Sequence, residues 1–298
     1  MNNNLFLQTY RKQEKRKIRL QAINDKMPVF IIKLIVSLYN FLKWAVYFFV
    51  QREYSRKIKI FPKTRYKGFC PCCSNKTVFM STDLWFRDSL RCCRCNSLPR
   101  DRQVFKYVNK LLEQRNDLRV LEFAPLPGAY MYKKKTQKYV ISHYLPDKKF
   151  GKMDASFYNE DIQKTTFSDS SFDLIIHEDV LEHINDPLAA ILDNFRILSD
   201  NGEIVFTCPV SSDKTVQRAT VDSDGKLIFH LPPCYHGNPI NNNGSLVFWD
   251  FGYDFTKMLK KTLPENADLK HIRVIDESMG IDGEMLDLFC IKKLPCDY

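Results

Sequence analysis

Residues 161–209 read DIQKTTFSDSSFDLIIHEDVLEHINDPLAAILDNFRILSDNGEIVFTCP. Within this run Phe172–His177 (FDLIIH) is an unbroken apolar segment of strand length, as expected of a strand buried on both faces. After EDVLEHI, Asp186 stands as an N-cap and Pro187 takes the first helical turn, where its missing N–H has no consequence. Leu188, Ile191, Leu192, Phe195 and Leu198 then recur every three or four residues, the spacing of one helical face. Asp200-Asn201-Gly202 supplies a stop, and Glu203–Cys208 (EIVFTC) reads as the next strand. Strand, helix, strand is the unit of a parallel sheet covered by helices.

Outward from this unit the same alternation continues. Pro99–Gln114 has Val104, Tyr107, Val108 and Leu111 on one helical face; Val120–Phe123 is a short strand followed by the turn APLPG; Tyr139–Ser142 is another. His271–Ile275 and Met285–Lys292 read as two strands that close the sheet. The expected class is α/β. Ligands of such sheets bind beyond the carboxyl ends of the strands, which directs attention to Glu122–Gly128, His143, His177–Glu178 and Cys208–Pro209.

Upstream lies a different composition. The chain has 298 residues and a formal charge of +10, a length that suggests about two domains. Sixteen Lys or Arg and only three acidic residues precede Cys70, while the rest carries 29 basic and 32 acidic residues. Val29–Val50 is an apolar and aromatic run with four polar breaks, Lys33, Ser37, Asn40 and Lys43, which fall on one helical stripe roughly 120° wide. Basic residues flank both ends, so the run fits a helix lying in a membrane interface with its lysines at the headgroups, or one docked on protein. It is too long for a removable signal sequence.

Six of the ten cysteines lie between Cys70 and Cys95. Cys70 and Cys73 form one C-x2-C pair, Cys92 and Cys95 a second, the spacing of two knuckles that together surround one tetrahedral Zn ion. Cys72 and Cys93 lie between the ligands, and Cys72 is the alternative to Cys73. Four thiolates fill the coordination sphere, which makes the expected zinc structural. Clustered cysteines in a chain of this size fit a reducing compartment.

The run quoted at the outset resembles the class I S-adenosylmethionine-dependent methyltransferases, in particular the type 11 group, in its "SFD", "LEH" and "R-x-L" segments followed by a strand. The segment CPCC…RCCRCNSLPRDR is similar to an N-terminal module found before the methyltransferase domain in a bacterial subgroup. The resemblance implies a Rossmann-like, seven-stranded sheet with helices on both faces. It implies a basic arm and apolar helix over 1–66, a zinc ribbon over 67–100 and a methyltransferase domain over 101–298, with 210–248 an insertion on the acceptor side. Carried onto matching positions, it implies that S-adenosylmethionine is bound by Glu122, Ala124 and Gly128 after strand one, His143 at the tip of strand two, Asp161 and Ile162 at the adenine edge, and His177 and Glu178 at the end of strand four. Glycines are usual where Ala124 and Leu126 stand, and an acidic residue where His143 stands.

Methyl transfer to a hydroxyl requires alignment and removal of one proton. The histidines available are His177, His183, His230 and His236. His183 lies in the LEH turn and is read as structural, leaving His236, beside Gly237 in the insertion, and His177 as the catalytic candidates. The leading expectation is O-methylation of a saccharide or lipid-linked glycan by a cytoplasmic protein, peripheral at the inner membrane face through residues 29–50. Two alternatives stand beside it: an RNA methyltransferase using the ribbon and basic arm, and a non-catalytic binding module with a degenerate pocket. Nucleic acid is the less favoured partner, because the basic residues interleave with an apolar helix and the body is slightly acidic.

Overall fold

The computed structural model describes residues 65–295 apart from 82, 116, 126–135, 137, 155 and 238–243. The apolar run 29–50 and Gly128 therefore lie outside the described residues. The chain divides into two units, 1–63 with 236–245 and 64–235 with 246–298. Only residues 236–237 and 244–245 of the first are described.

In chain order the elements are β1 (Arg65–Cys70), β2 (Asn75–Met80), α1 (Phe86–Ser89), β3 (Arg91–Cys92), α2 (Pro99–Gln114), β4 (Val120–Phe123), β5 (Tyr139–His143), β6 (Lys152–Asp154), β7 (Phe157–Asn159), β8 (Phe172–Glu178), α3 (Pro187–Ile197), β9 (Leu198–Thr207), α4 (Phe255–Thr262), β10 (Ala267–Ile272) and β11 (Leu288–Lys293). Short strands between Val210 and Gly252 make up the insertion. β1, β2 and β3 form a small antiparallel sheet. The main sheet runs β10-β11-β9-β8-β4-β5-β7-β6. It is parallel apart from β11, reversed between β10 and β9, and β6, an eighth short strand added to the expected seven at the far edge.

Alternation along the strands sorts the core into two layers. Val120, Leu174, Ile176, Val205, Leu288 and Cys290 face one side, packed with Val104, Phe105, Val108 and Leu112 of α2. Leu121, Ile175, Ile204, Phe206, Phe289 and Ile291 face the other, packed with α3 and α4 through Ile191, Phe195, Phe255 and Leu259. Helices thus cover both faces, as a parallel sheet requires. Cys70, Cys72, Phe79, Leu90 and Cys92 share the α2 layer, so the cysteine module and the sheet have one continuous core.

α2 spans the expected residues, and the start of α3 falls where its cap places it. Asp186 accepts from the Ala189 N–H at 2.9 Å ahead of Pro187. The face of α3 is rotated from the expected one: Ala190, Ile191, Asn194, Phe195 and Ile197 are buried while Leu192 is exposed, and Leu198 already belongs to β9. Asp200-Asn201-Gly202 is consequently a bulge within β9 rather than a helix stop. Asn201 is left-handed at φ 61, and the pairing with β8 slips between Leu198 and Glu203. At the far end Met285, expected as the start of a strand, is left-handed at φ 52, and the strand begins at Leu288.

Candidate active site and cysteine centre

Register brings the anticipated residues to one end of the sheet. Phe123 of β4 lies opposite His177 of β8 and Ser142 of β5, and His143 lies opposite Asn159 of β7. The carboxyl ends of four parallel strands therefore meet, with Glu122, His143, Asp161 and Glu178 in or just after them.

By strand alternation Glu122 and Glu178 face the α2 side. Glu122 is fully buried and accepts a hydrogen bond from the Tyr139 hydroxyl; burial first, and then the like charge of Asp101, push its pKa up to about 8. Glu178 is also raised well above the ordinary carboxyl range, by burial and by the neighbouring Asp101 and Glu122. Among the described residues its Oε2 is buried with no hydrogen-bond partner, as is Oδ1 of Asp101. Asp179 follows with a left-handed backbone (φ 51) and is gripped from the cysteine module: Arg87 Nη2 at 2.5 Å and Arg100 Nε at 3.1 Å. Thr207 Oγ1 donates to its other oxygen at 3.0 Å.

Arg87, Arg100, Asp101 and Asp179 are absent from the residues read in the sequence. The signal for Arg100 and Asp101 is the SLPRDR segment, whose charges fall in the first turn of an amphipathic helix; Arg87 and Asp179 have no such local signal.

The loops of this end are pinned by buried polar side chains. Asn159 accepts from the Leu145 N–H at 2.7 Å and donates to the Lys148 carbonyl at 2.9 Å. The Glu160 carboxylate takes the Thr166 N–H at 2.8 Å and its hydroxyl at 2.6 Å. Between them Asp161 folds its own turn, accepting from the Gln163 N–H at 2.9 Å, and Ile162 is buried beside it. Ala124 stands in the left-handed region at φ 46, a conformation that glycine adopts more readily. His143 packs edge-on against Phe157, its Nδ1 buried without a partner, and burial lowers its pKa to about 4, so the ring is neutral at pH 7.

The candidate bases differ in their surroundings. His177 faces the α3 and α4 side with no exposed surface, stacked on Phe206 at 4.8 Å; burial lowers its pKa to about 3. An imidazole so enclosed packs the sheet and has no route to an acceptor's proton. His183 holds its turn, Nδ1 lying 2.8 Å from the Leu246 carbonyl. His236 is exposed at the end of Tyr235–His236 and belongs to the other unit.

The four cysteines of the two knuckles converge: the sulfurs of Cys70, Cys73, Cys92 and Cys95 lie within 4.8 Å of one another. Cys70–Cys95 is 3.6 Å and Cys73–Cys92 is 3.9 Å. A tetrahedral zinc with bonds of about 2.3 Å separates its sulfurs by about 3.8 Å, so this donor set fits the ion. Cys72 instead points into the core, and burial pushes its thiol up.

Beside the turn leaving β8, a groove of about 330 Å³ opens between the start of α3, the insertion and α4. Trp249 and Phe251 line it with parallel rings 6.5 Å apart, and Asn185, Gln217 and Thr220 supply its polar edge.

Residues 129–206 match the family model described as a methyltransferase domain. Among solved structures the chain is similar to an S-adenosylmethionine-dependent methyltransferase from Mesorhizobium loti (12% identity, 63% of this chain and 97% of that one, TM-score 0.41). It is also similar to the YcgJ protein of Bacillus subtilis (12%, 65% and 99%, TM-score 0.41) and to a putative methyltransferase of Listeria monocytogenes (11%, 64% and 98%, TM-score 0.40). No curated protein matches the sequence. Residues 129–206 thus carry a methyltransferase domain. The carboxyl end of the sheet suits S-adenosylmethionine: two buried acceptor oxygens without donors among the described residues, on Asp101 and Glu178, complement a ligand that carries an ammonium and a sulfonium.

Proposed function

We infer that the protein methylates a hydroxyl of a saccharide or lipid-linked glycan, working at the cytoplasmic face of a membrane with a structural zinc in its cysteine module. The observation that carries the acceptor class is the groove. The partly exposed Trp249 ring, backed by the buried and parallel Phe251, offers a flat apolar face for the C–H side of a sugar, and the amides of Asn185 and Gln217 offer donors to its hydroxyls. Asn185 already uses its carbonyl oxygen for the Val221 N–H at 2.9 Å, which turns its NH2 to donor duty. The apolar run 29–50 is assigned to the membrane surface that bears the acceptor, and no helix among the described residues is long and apolar enough to cross a bilayer.

When bound, S-adenosylmethionine supplies the electrophilic methyl and its thioether leaving group. Glu122, Glu178, Ala124 and Gly128 are assigned to the methionine portion, His143 to the ribose, and Asp161 and Ile162 to the adenine. His236 is assigned the acceptor's proton. His177 takes no part in proton transfer.

Methyl-labelled S-adenosylmethionine, offered with separate lipid-linked saccharide and RNA fractions, should label the saccharide. Trp249→Ala should lower that labelling about tenfold or more while cofactor affinity stays within a factor of two, the expectation for loss of one aromatic contact. Label confined to RNA, or a Trp249→Ala protein as active as the parent, would overturn the reading.

A further inference from the structure

We propose that the cysteine module is a working part of the cofactor site: Asp101, set by the four-cysteine centre, bears on the positively charged methionine end of the cofactor. The inference rests on the S-adenosylmethionine reading above and goes beyond it, since it gives the metal centre a role in binding.

The first turn of α2 divides its charges between two places. Arg102 turns back into the cysteine module, where it is the largest side chain with no exposed surface. Its guanidinium donates to the carbonyls of Leu90 at 2.8 Å, of Gly280 at 2.5 Å and of Ser97, and lies 4.6 Å over the Phe79 ring. A buried cation on that side complements the excess negative charge of a zinc held by four thiolates. Arg100 and Asp101, two residues and one residue earlier, serve the sheet. Arg100 ties Asp179 to Asp88, and the charge of Asp101, buried in the first turn of α2, reaches the carboxyls of Glu122 and Glu178 and raises both.

The two places are joined by a short and fully bonded stretch of chain. Ser97 Oγ lies 3.5 Å from Cys70 Sγ and 3.2 Å from Cys95 Sγ, and the Ser97 carbonyl takes the Cys92 N–H at 3.0 Å. Leu98 follows, and its N–H donates to Asp101 Oδ2 at 2.9 Å. One oxygen of Asp101 is thus fixed by the backbone that leaves the second knuckle. The other, Oδ1, is buried with no donor among the described residues, on a residue only 8% exposed. Glu178 Oε2 is in the same state within the same group of carboxyls. Buried acceptors are ordinarily satisfied, and carboxyls crowded in a dry site favour a cation among them. The cysteine centre therefore fixes where one of those carboxyls stands.

Calorimetric titration of the full chain with S-adenosylmethionine, with zinc content and a thermal melt measured on each sample, tests the proposal. In Asp101→Asn the amide oxygen can still accept from Leu98, so zinc content and melting temperature should stay near the parent's while cofactor affinity falls about tenfold, as for loss of one charge-assisted contact. Asp101→Ser keeps a cap acceptor as well and serves if the first variant does not fold; the same loss is expected. Cys95→Ser should lose zinc and cofactor affinity together. A parent that binds cofactor with an Asp101→Asn or Asp101→Ser protein that binds it equally well overturns the proposal and leaves the methyltransferase reading standing. A zinc-free, folded Cys95→Ser protein with parental affinity does the same. A parent that does not bind at all overturns the reading beneath it.

Discussion

Glu122 shows what one carboxyl decides. Its pKa is pushed up to about 8 by burial, against 4.5 for a free glutamate. The folded chain thus holds this proton more tightly than the unfolded one, and the stability it contributes is complete below about pH 4.5 and lost as pH rises through 8. The loss is at most about 1.4 kcal/mol per pH unit. The buried His177 and His143, with pKa values lowered to about 3 and about 4, act with the opposite sign: their contribution is present above pH 6.5 and lost as pH falls. Urea midpoints from pH 5 to 8 should therefore differ between parent and Glu122→Gln by a gap that widens toward pH 8, in favour of the variant. Parallel curves would mean that Glu122 is not desolvated. His177→Phe keeps the ring stacked on Phe206 without a buried imidazole, and should fold at least as stably and transfer methyl groups at the parental rate. A folded His177→Phe protein slowed a hundredfold would return His177 to catalysis.

Among the elements, the cysteine knuckles and the cap of α3 give separate measurements. The purified chain should hold one zinc, Cys92→Ser should lose it, and Cys72→Ser should keep it, because the Cys72 thiol lies in the apolar layer. Metal lost from Cys72→Ser but kept by Cys73→Ser would exchange the two ligands. Asp186→Ala removes the acceptor of the Ala189 N–H and should lower stability by about 1 kcal/mol in urea unfolding. The elements legible in the sequence are those with a strong local cause: β4 and β8 as buried apolar runs, β5 as a short apolar one, α2 through its apolar face, and α3 through Asp186 and Pro187. β6 and β7 are three residues each, too short for a period. β10 begins four residues before the expected His271, because Ala267–Lys270 is an edge segment of mixed polarity with no buried face to mark it. The site divides in the same way. Glu122 and Glu178 follow strands that can be recognised, whereas Asp101 and Arg100 act across the chain, through a tertiary contact that no local pattern encodes.

At the scale of the molecule, the shared core of α2, the cysteine module and the sheet makes a further demand. Zinc removal should lower the temperature of one cooperative unfolding transition of this unit and not create a separate early one, because Phe79 and Leu90 pack in the same layer as Val104, Leu174 and Val205. Calorimetry of chelated and zinc-loaded protein reads this directly, and two resolved transitions, with the sheet melting unchanged, would contradict it. The strand order has a consequence for biosynthesis as well. β11 sits between β10 and β9, and it is the last strand of the sheet to leave the ribosome. Until Leu288–Lys293 emerges, β9 has an open edge bearing Ile204, Val205 and Phe206, and the carbonyl of Leu198 lacks the Lys293 ammonium that meets it at 2.8 Å. A nascent chain stalled shortly before Leu288 thus presents an unpaired apolar strand, the state in which a growing polypeptide most needs a chaperone.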